Sequence, residues 1–111
     1  MKKALSKYAR VFDNKNPLWS KDYYRNLMFL KTQTVYINDL LKAKRTKFLN
    51  EVYDILGFAG TQTGQNVGWH YDLKNPTGDN FIDFQIDGDE VENTITLDFN
   101  VDGRVIQYLN E

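Results

Sequence analysis

The sequence holds one histidine, His70, and no cysteine, so nucleophilic or metal chemistry would have to be built mainly from carboxylates, amides and hydroxyls. Histidine as a residue type titrates near neutrality, which makes His70 the candidate general base. No nucleophile elbow, triad or Ser-x-x-Lys pattern accompanies it. Strand-like alternation sets His70, Asp72, Asp83, Gln85, Asp98 and Asn100 on one side of a sheet, where several oxygens and an imidazole suit Mg²⁺, Ca²⁺ or a transition metal. A solvated antiparallel sheet face has the same composition, and this spacing imposes no coordination geometry. No catalytic residue, metal or cofactor is therefore assigned, and a metal-dependent hydrolase on the acidic sheet face ranks third among the functional readings.

Three further groups have chemistry of recognition. Gly57, Gly60, Gly64 and Gly68 with Thr61 and Thr63 loosely resemble a phosphate loop. That stretch follows a helix, leads into a strand and contains no lysine, the reverse of a phosphate-binding loop; a helix terminator and connection is the simpler account. Lys42, Lys44, Arg45 and Lys47, with Lys2, Lys3, Lys7 and Arg10, make a basic set able to contact nucleic-acid phosphates. Helix-turn-helix spacing and RNP-type aromatics are missing. The acidic residues Asp79, Asp87, Asp89, Glu90 and Glu92 form a candidate partner surface that imitates nucleic-acid phosphates. Trp19, Tyr24 and Phe29 fall on or near a helix, and Tyr24 and Phe29 lie off its main apolar stripe, which makes the three candidate interface anchors.

Those groups must be positioned by a chain whose periodicity changes midway. Residues 2–12 place Leu5, Tyr8 and Phe12 at helical spacing, up to the polar turn Asp13–Pro17. A longer helix is expected from Leu18 or Ser20 to Arg45, capped by Ser20 with Asp22 in the first turn. Its apolar stripe is Tyr23, Leu27, Leu30, Thr34, Ile37 and Leu41, and the β-branched Thr32, Thr34, Val35 and Ile37 invite a break. Phe48–Leu56 reads as a third helix, capped by Thr46 or Asn50 and ended by Gly57. Strands follow over Val67–Leu73, Ile82–Ile86, Ile95–Val101 and Val105–Leu109, with Asp87–Glu90 as a breaker and Asp102-Gly103 as a two-residue hairpin. The expected fold is α+β, with N-terminal helices packed on a three- or four-stranded antiparallel meander.

At 111 residues, 41% hydrophobic and 14% aromatic, the chain suits one domain over residues 1–111, mainly helical in 1–57 and sheet in 65–109. Met1-Lys2-Lys3 is basic, yet no apolar run of signal or membrane-span length follows; a soluble cytoplasmic protein of a bacterial host is expected. The net charge of −1 conceals asymmetry. Residues 1–70 hold twelve basic and five acidic residues, a net +7, whereas 71–111 hold two and ten, a net −8.

Four ordered blocks carry a resemblance: Phe48–Gly57 (FLNEVYDILG), Thr63–Trp69 (TGQNVGW), Gly78–Phe84 (GDNFIDF) and Leu97–Gly103 (LDFNVDG). Over about residues 35–109 the chain resembles an uncharacterised family of small proteins from phages and mobile elements of gut bacteria. The resemblance implies such a setting and no activity, and it leaves residues 1–34 outside. The leading expectation is a non-catalytic module that binds a host or element-encoded protein, such as an anti-CRISPR-like inhibitor of a defence nuclease. The alternative is a nucleic-acid-binding accessory protein using Lys42, Lys44, Arg45 and Lys47.

Overall fold

The computed structural model describes residues 4–110. Its longest element, α1 (Tyr23–Lys44), starts where the Asp22 carboxylate accepts from the N–H groups of Tyr24 and Arg25, satisfying two donors that a helix start leaves open. Asp22 is thus the cap expected of Ser20. The Ser20 hydroxyl instead accepts from the Asp22 N–H. The β-branched middle does not break the helix. Leu30, Ile37 and Leu41 are fully buried beneath it, and such packing outweighs a few tenths of a kcal/mol of propensity per residue.

After Arg45 the chain forms β2 (Thr46–Phe48) and then α2 (Leu49–Leu56), following the short β1 (Arg10–Phe12) at the start of the chain. Neither Thr46 nor Asn50 caps α2; the Glu51 carboxylate reaches back to the Phe48 N–H at 3.0 Å. The helix buries Leu49, Val52, Tyr53 and Leu56 and stops at Gly57, as expected. Gly57 sits at φ 86°, where a Cβ would be strained.

The remaining strands are β3 (Val67–His70), β4 (Asp87–Asp89), β5 (Thr94–Leu97) and β6 (Gly103–Arg104). They form two antiparallel three-stranded sheets, ordered β1-β5-β4 and β2-β3-β6, in place of the single meander. The fold class stays α+β. Four local facts account for the difference. Described residues 4–12 are not helical: Asp98 accepts from the Ser6 N–H and hydroxyl, and β1 pairs Phe12 with Ile95; residues 2 and 3 of that expected helix lie outside the described residues. Gln85 adopts φ 47°, which breaks the expected strand 82–86 even though Ile82 and Phe84 are buried as their alternation requires. The supposed breaker Asp87-Gly88-Asp89 is β4 itself. Finally, Asp102-Gly103 is not a hairpin. The Asp102 N–H bonds to the Gly68 carbonyl and Gly103 pairs with Gly68, so the chain joins the second sheet, and Ile106–Asn110 forms a 3-10 helix where a strand was expected. No helix among the described residues is long and apolar enough to cross a membrane.

Candidate partner-binding surface

β4 is an edge strand, with Asp87 opposite Thr96 and Asp89 opposite Thr94 on its neighbour. Cross-strand partners share a sheet face, so both carboxylates stand with the two threonines on the outer face. With Gly88 and Glu90 these residues line an open recess of about 430 Å³. Gly88 faces the other way, and the Tyr23 hydroxyl occupies the space its Cβ would need. The edge strand is therefore pressed onto the start of α1. Glu90 and Glu92 are exposed in the turn to β5. That turn is closed by the Asn93 N–H donating to the Glu90 carbonyl and the Glu92 N–H to the Asp89 carboxylate.

Four of the five acidic candidates are thus brought together. Asp79 is not among them: it accepts from the Asn100 side chain at 3.1 Å and sits near Asp102. Burial pushes the Asp102 carboxyl above the ordinary carboxylate range, against the hydrogen bond it accepts from the His70 N–H.

The aromatic candidates divide in the same way. Trp19 is half-buried and donates its indole N–H to the Asn93 carbonyl at 2.9 Å, which places it beside the acidic turn. Tyr24 is exposed and packs edge-on against Tyr23 with centroids 5.4 Å apart. The Glu90 carboxylate beside it raises the Tyr24 phenol pKa, first through a hydrogen bond and then through its charge. Phe29 stacks on Phe12 at 5.8 Å and packs against the core; it belongs to the interior packing and is not a free anchor.

One asparagine pair joins these parts. Asn26, buried in the first turns of α1, donates from its amide to the Ser20 carbonyl and the Asn93 side-chain oxygen, and accepts from the Ser20 N–H. Asn93 in turn donates to the Ser20 carbonyl. Asn26, Asn93, Thr94 and Thr96 escape a sequence reading, because their roles arise only when residues some seventy positions apart meet.

The basic candidates lie at the far end of α1, about 33 Å away for a 22-residue helix. Lys42, Lys44 and Arg45 are exposed. Lys47 is not part of that surface: it is only 3% exposed and pairs with Glu51 at 2.8 Å. Burial pushes Glu51 up, but its hydrogen bonds with Lys47 and the Phe48 N–H outweigh this and leave the carboxyl below its ordinary value. Among the described residues this is the one ion pair within 4 Å, and both partners belong to the basic half. Among the described residues no salt bridge joins the two oppositely charged halves.

The row of polar side chains expected on one outward sheet face does not form. His70 is buried, stacked on Tyr108 at 3.7 Å, with its Nδ1 3.0 Å from the Thr46 hydroxyl. Asp98 is buried against Ser6. Asn100 is committed to Trp69, the Asp83 N–H, Asp79 and Phe81. Among the described residues no three His, Asp or Glu side chains are placed to hold a metal ion. The glycine-rich connection is tied by Asn50, which donates to the Thr61 carbonyl and accepts from its N–H, as suits a structural link.

No curated protein and no solved structure matches the chain. A family model described as a family of unknown function, DUF6353, matches residues 1–109. The match takes in residues 1–34, which the four-block resemblance had left outside, in keeping with β1 and α1 being integral to the fold. With nearly its whole length matched, the chain belongs to this family of unknown function.

Proposed function

We propose that the protein is a non-catalytic binding module whose acidic edge, Asp87, Asp89, Glu90 and Glu92 flanked by Trp19 and Tyr24, receives a basic surface of a partner protein. The observation that carries this reading is the convergence of those side chains at one end of the molecule. Among the described residues none of the four carboxylates has an ion-pair partner. Carboxylates steer and hold cations, and exposed aromatic faces beside them add cation–π attraction, strongest for arginine. Nucleic-acid-binding channels are basic, so an acidic edge of this kind suits a phosphate mimic. The four-block resemblance supports a phage or mobile-element setting, in which a bacterial, cytoplasmic defence nuclease of the CRISPR type is the partner of choice. A nucleic-acid-binding reading retains one supporting observation, the exposed Lys42, Lys44 and Arg45 at the other end of α1.

Titration with a labelled arginine-rich peptide and, separately, with a labelled single-stranded oligonucleotide tests the two against each other. The peptide is expected to bind at low salt, to weaken as salt rises, and to be lost in Asp87→Asn/Asp89→Asn/Glu92→Gln. Absence of peptide binding at low salt overturns the reading. Oligonucleotide binding lost in Lys42→Ala/Lys44→Ala replaces it with the alternative.

A further inference from the structure

The solvent side of α1 is itself apolar. Tyr24, Met28, Val35 and Tyr36 are 63%, 65%, 64% and 51% exposed. At 100° per residue they fall, with Arg25, Thr32, Asp39 and Lys42, within about a third of the helix circumference. This arc lies opposite the one formed by the buried Leu30, Ile37 and Leu41, so the core accounts for one side of the helix and leaves the other side apolar and uncovered. Each end of the arc carries both signs of charge: Arg25 and, beside Tyr24, Glu90 at its start, and Asp39 and Lys42 toward its end.

We propose that this face binds a second copy of the same chain, with the two α1 helices antiparallel across a twofold axis near residue 33. That arrangement sets Tyr24 and Glu90 of each copy against Lys42 of the other, and Arg25 against Asp39. It also sets Tyr36 over the recess of about 430 Å³ lined by Met28, Phe29, Thr32 and Gln33 among others. A parallel arrangement would place like charges together, so the charge distribution selects the antiparallel one, and opposed helix dipoles favour it too. One patch then serves both copies, as a twofold interface requires. The footprint, about 33 Å by 10 Å from helix dimensions, is smaller than the ~800 Å² per partner of a standard interface. The dimer is accordingly weak and concentration-dependent. It shares Tyr24 and Glu90 with the proposed partner surface and leaves the outer face of Asp87 and Asp89 open.

Sedimentation equilibrium of the full chain over about 10 µM to 1 mM, the range of weak interfaces, tests the proposal. A monomer–dimer equilibrium is expected, weakened about tenfold at roughly 1 M salt, where the Debye length falls to about 3 Å. Met28→Asp, on the exposed face, should abolish the dimer while circular dichroism and thermal melting stay unchanged. Lys42→Glu and Glu90→Lys should each weaken self-association. A mixture of the two variants should restore it as a heterodimer, because both contacts then regain opposite charges. A monomer at every concentration, a dimer indifferent to Met28→Asp, open-ended oligomers, or a mixture no better than its components would each overturn the proposal.

Discussion

Lys47 keeps its charged amine inside the protein by a single 2.8 Å contact with Glu51, whose side chain is 41% exposed. Removing one member of a fully buried pair costs about 3–5 kcal/mol, and exposed pairs contribute about 0–1 kcal/mol. With water reaching Glu51, Glu51→Gln should cost about 1–2 kcal/mol at neutral pH by chemical denaturation. The sign of the pH dependence follows from the lowered carboxyl. Its contribution is present above the ordinary value of 4.5 and is lost as pH falls through the folded value. Wild type and variant should therefore converge in stability in acid; a gap that stays constant would contradict the pairing. The i,i+4 spacing of Lys47 and Glu51 is visible in the sequence. The burial of Lys47 is not, because it follows from the β2–β3 pairing opposite Trp69, a contact twenty-two positions away. That is why a four-residue basic cluster reduces to the three exposed cations in the fold.

At the scale of elements, the candidate surface depends on how the start of α1 grips the β4–β5 turn. Asn26 is 1% exposed, and its side chain joins Ser20 and Asn93. Asn26→Ala would leave buried partners unpaired and should cost about 2 kcal/mol of stability. The same change should raise hydrogen exchange in residues 87–94 more than in α2; uniform exchange would show that the turn holds without this clamp. Gly88→Ala should cost about 1–3 kcal/mol by overpacking against Tyr23 and should weaken binding of the arginine-rich peptide. Both helices that lie wholly within the described residues were legible, since α1 and α2 each carry a helically spaced apolar stripe that becomes buried and α2 ends at a glycine. The alternation of Ile82/Phe84 and Ile95/Leu97 correctly marked core residues. Strand boundaries were not legible, because alternation shows neither the positive φ of Gln85, whose N–H bonds locally to the Asp83 carboxylate, nor the crossover at Asp102, set by its bond to the Gly68 carbonyl. Asp-Gly pairs signal hairpins only where both flanking runs return to the same sheet.

Over the whole molecule, the charge asymmetry of the sequence becomes a spatial one. The acidic edge lies at the start of α1, where Lys21 and Arg25 are exposed too, and the exposed Lys42, Lys44 and Arg45 lie at its end, with no salt bridge between the two halves among the described residues. The asymmetry itself was plain in the composition; its alignment along one rigid helix required knowing that β4 packs on Tyr23. Uncompensated surface charge costs stability through self-repulsion and contributes most to encounter with an oppositely charged partner. The most direct measurement is affinity capture from nuclease-treated bacterial host lysate. Tagged wild type is compared with Asp87→Asn/Asp89→Asn/Glu92→Gln and read by mass spectrometry. A stoichiometric basic protein retained by wild type, released as salt rises and absent from the variant is the predicted result. An empty wild-type lane, or equal retention of that protein by the variant, would contradict the acidic edge as the binding surface.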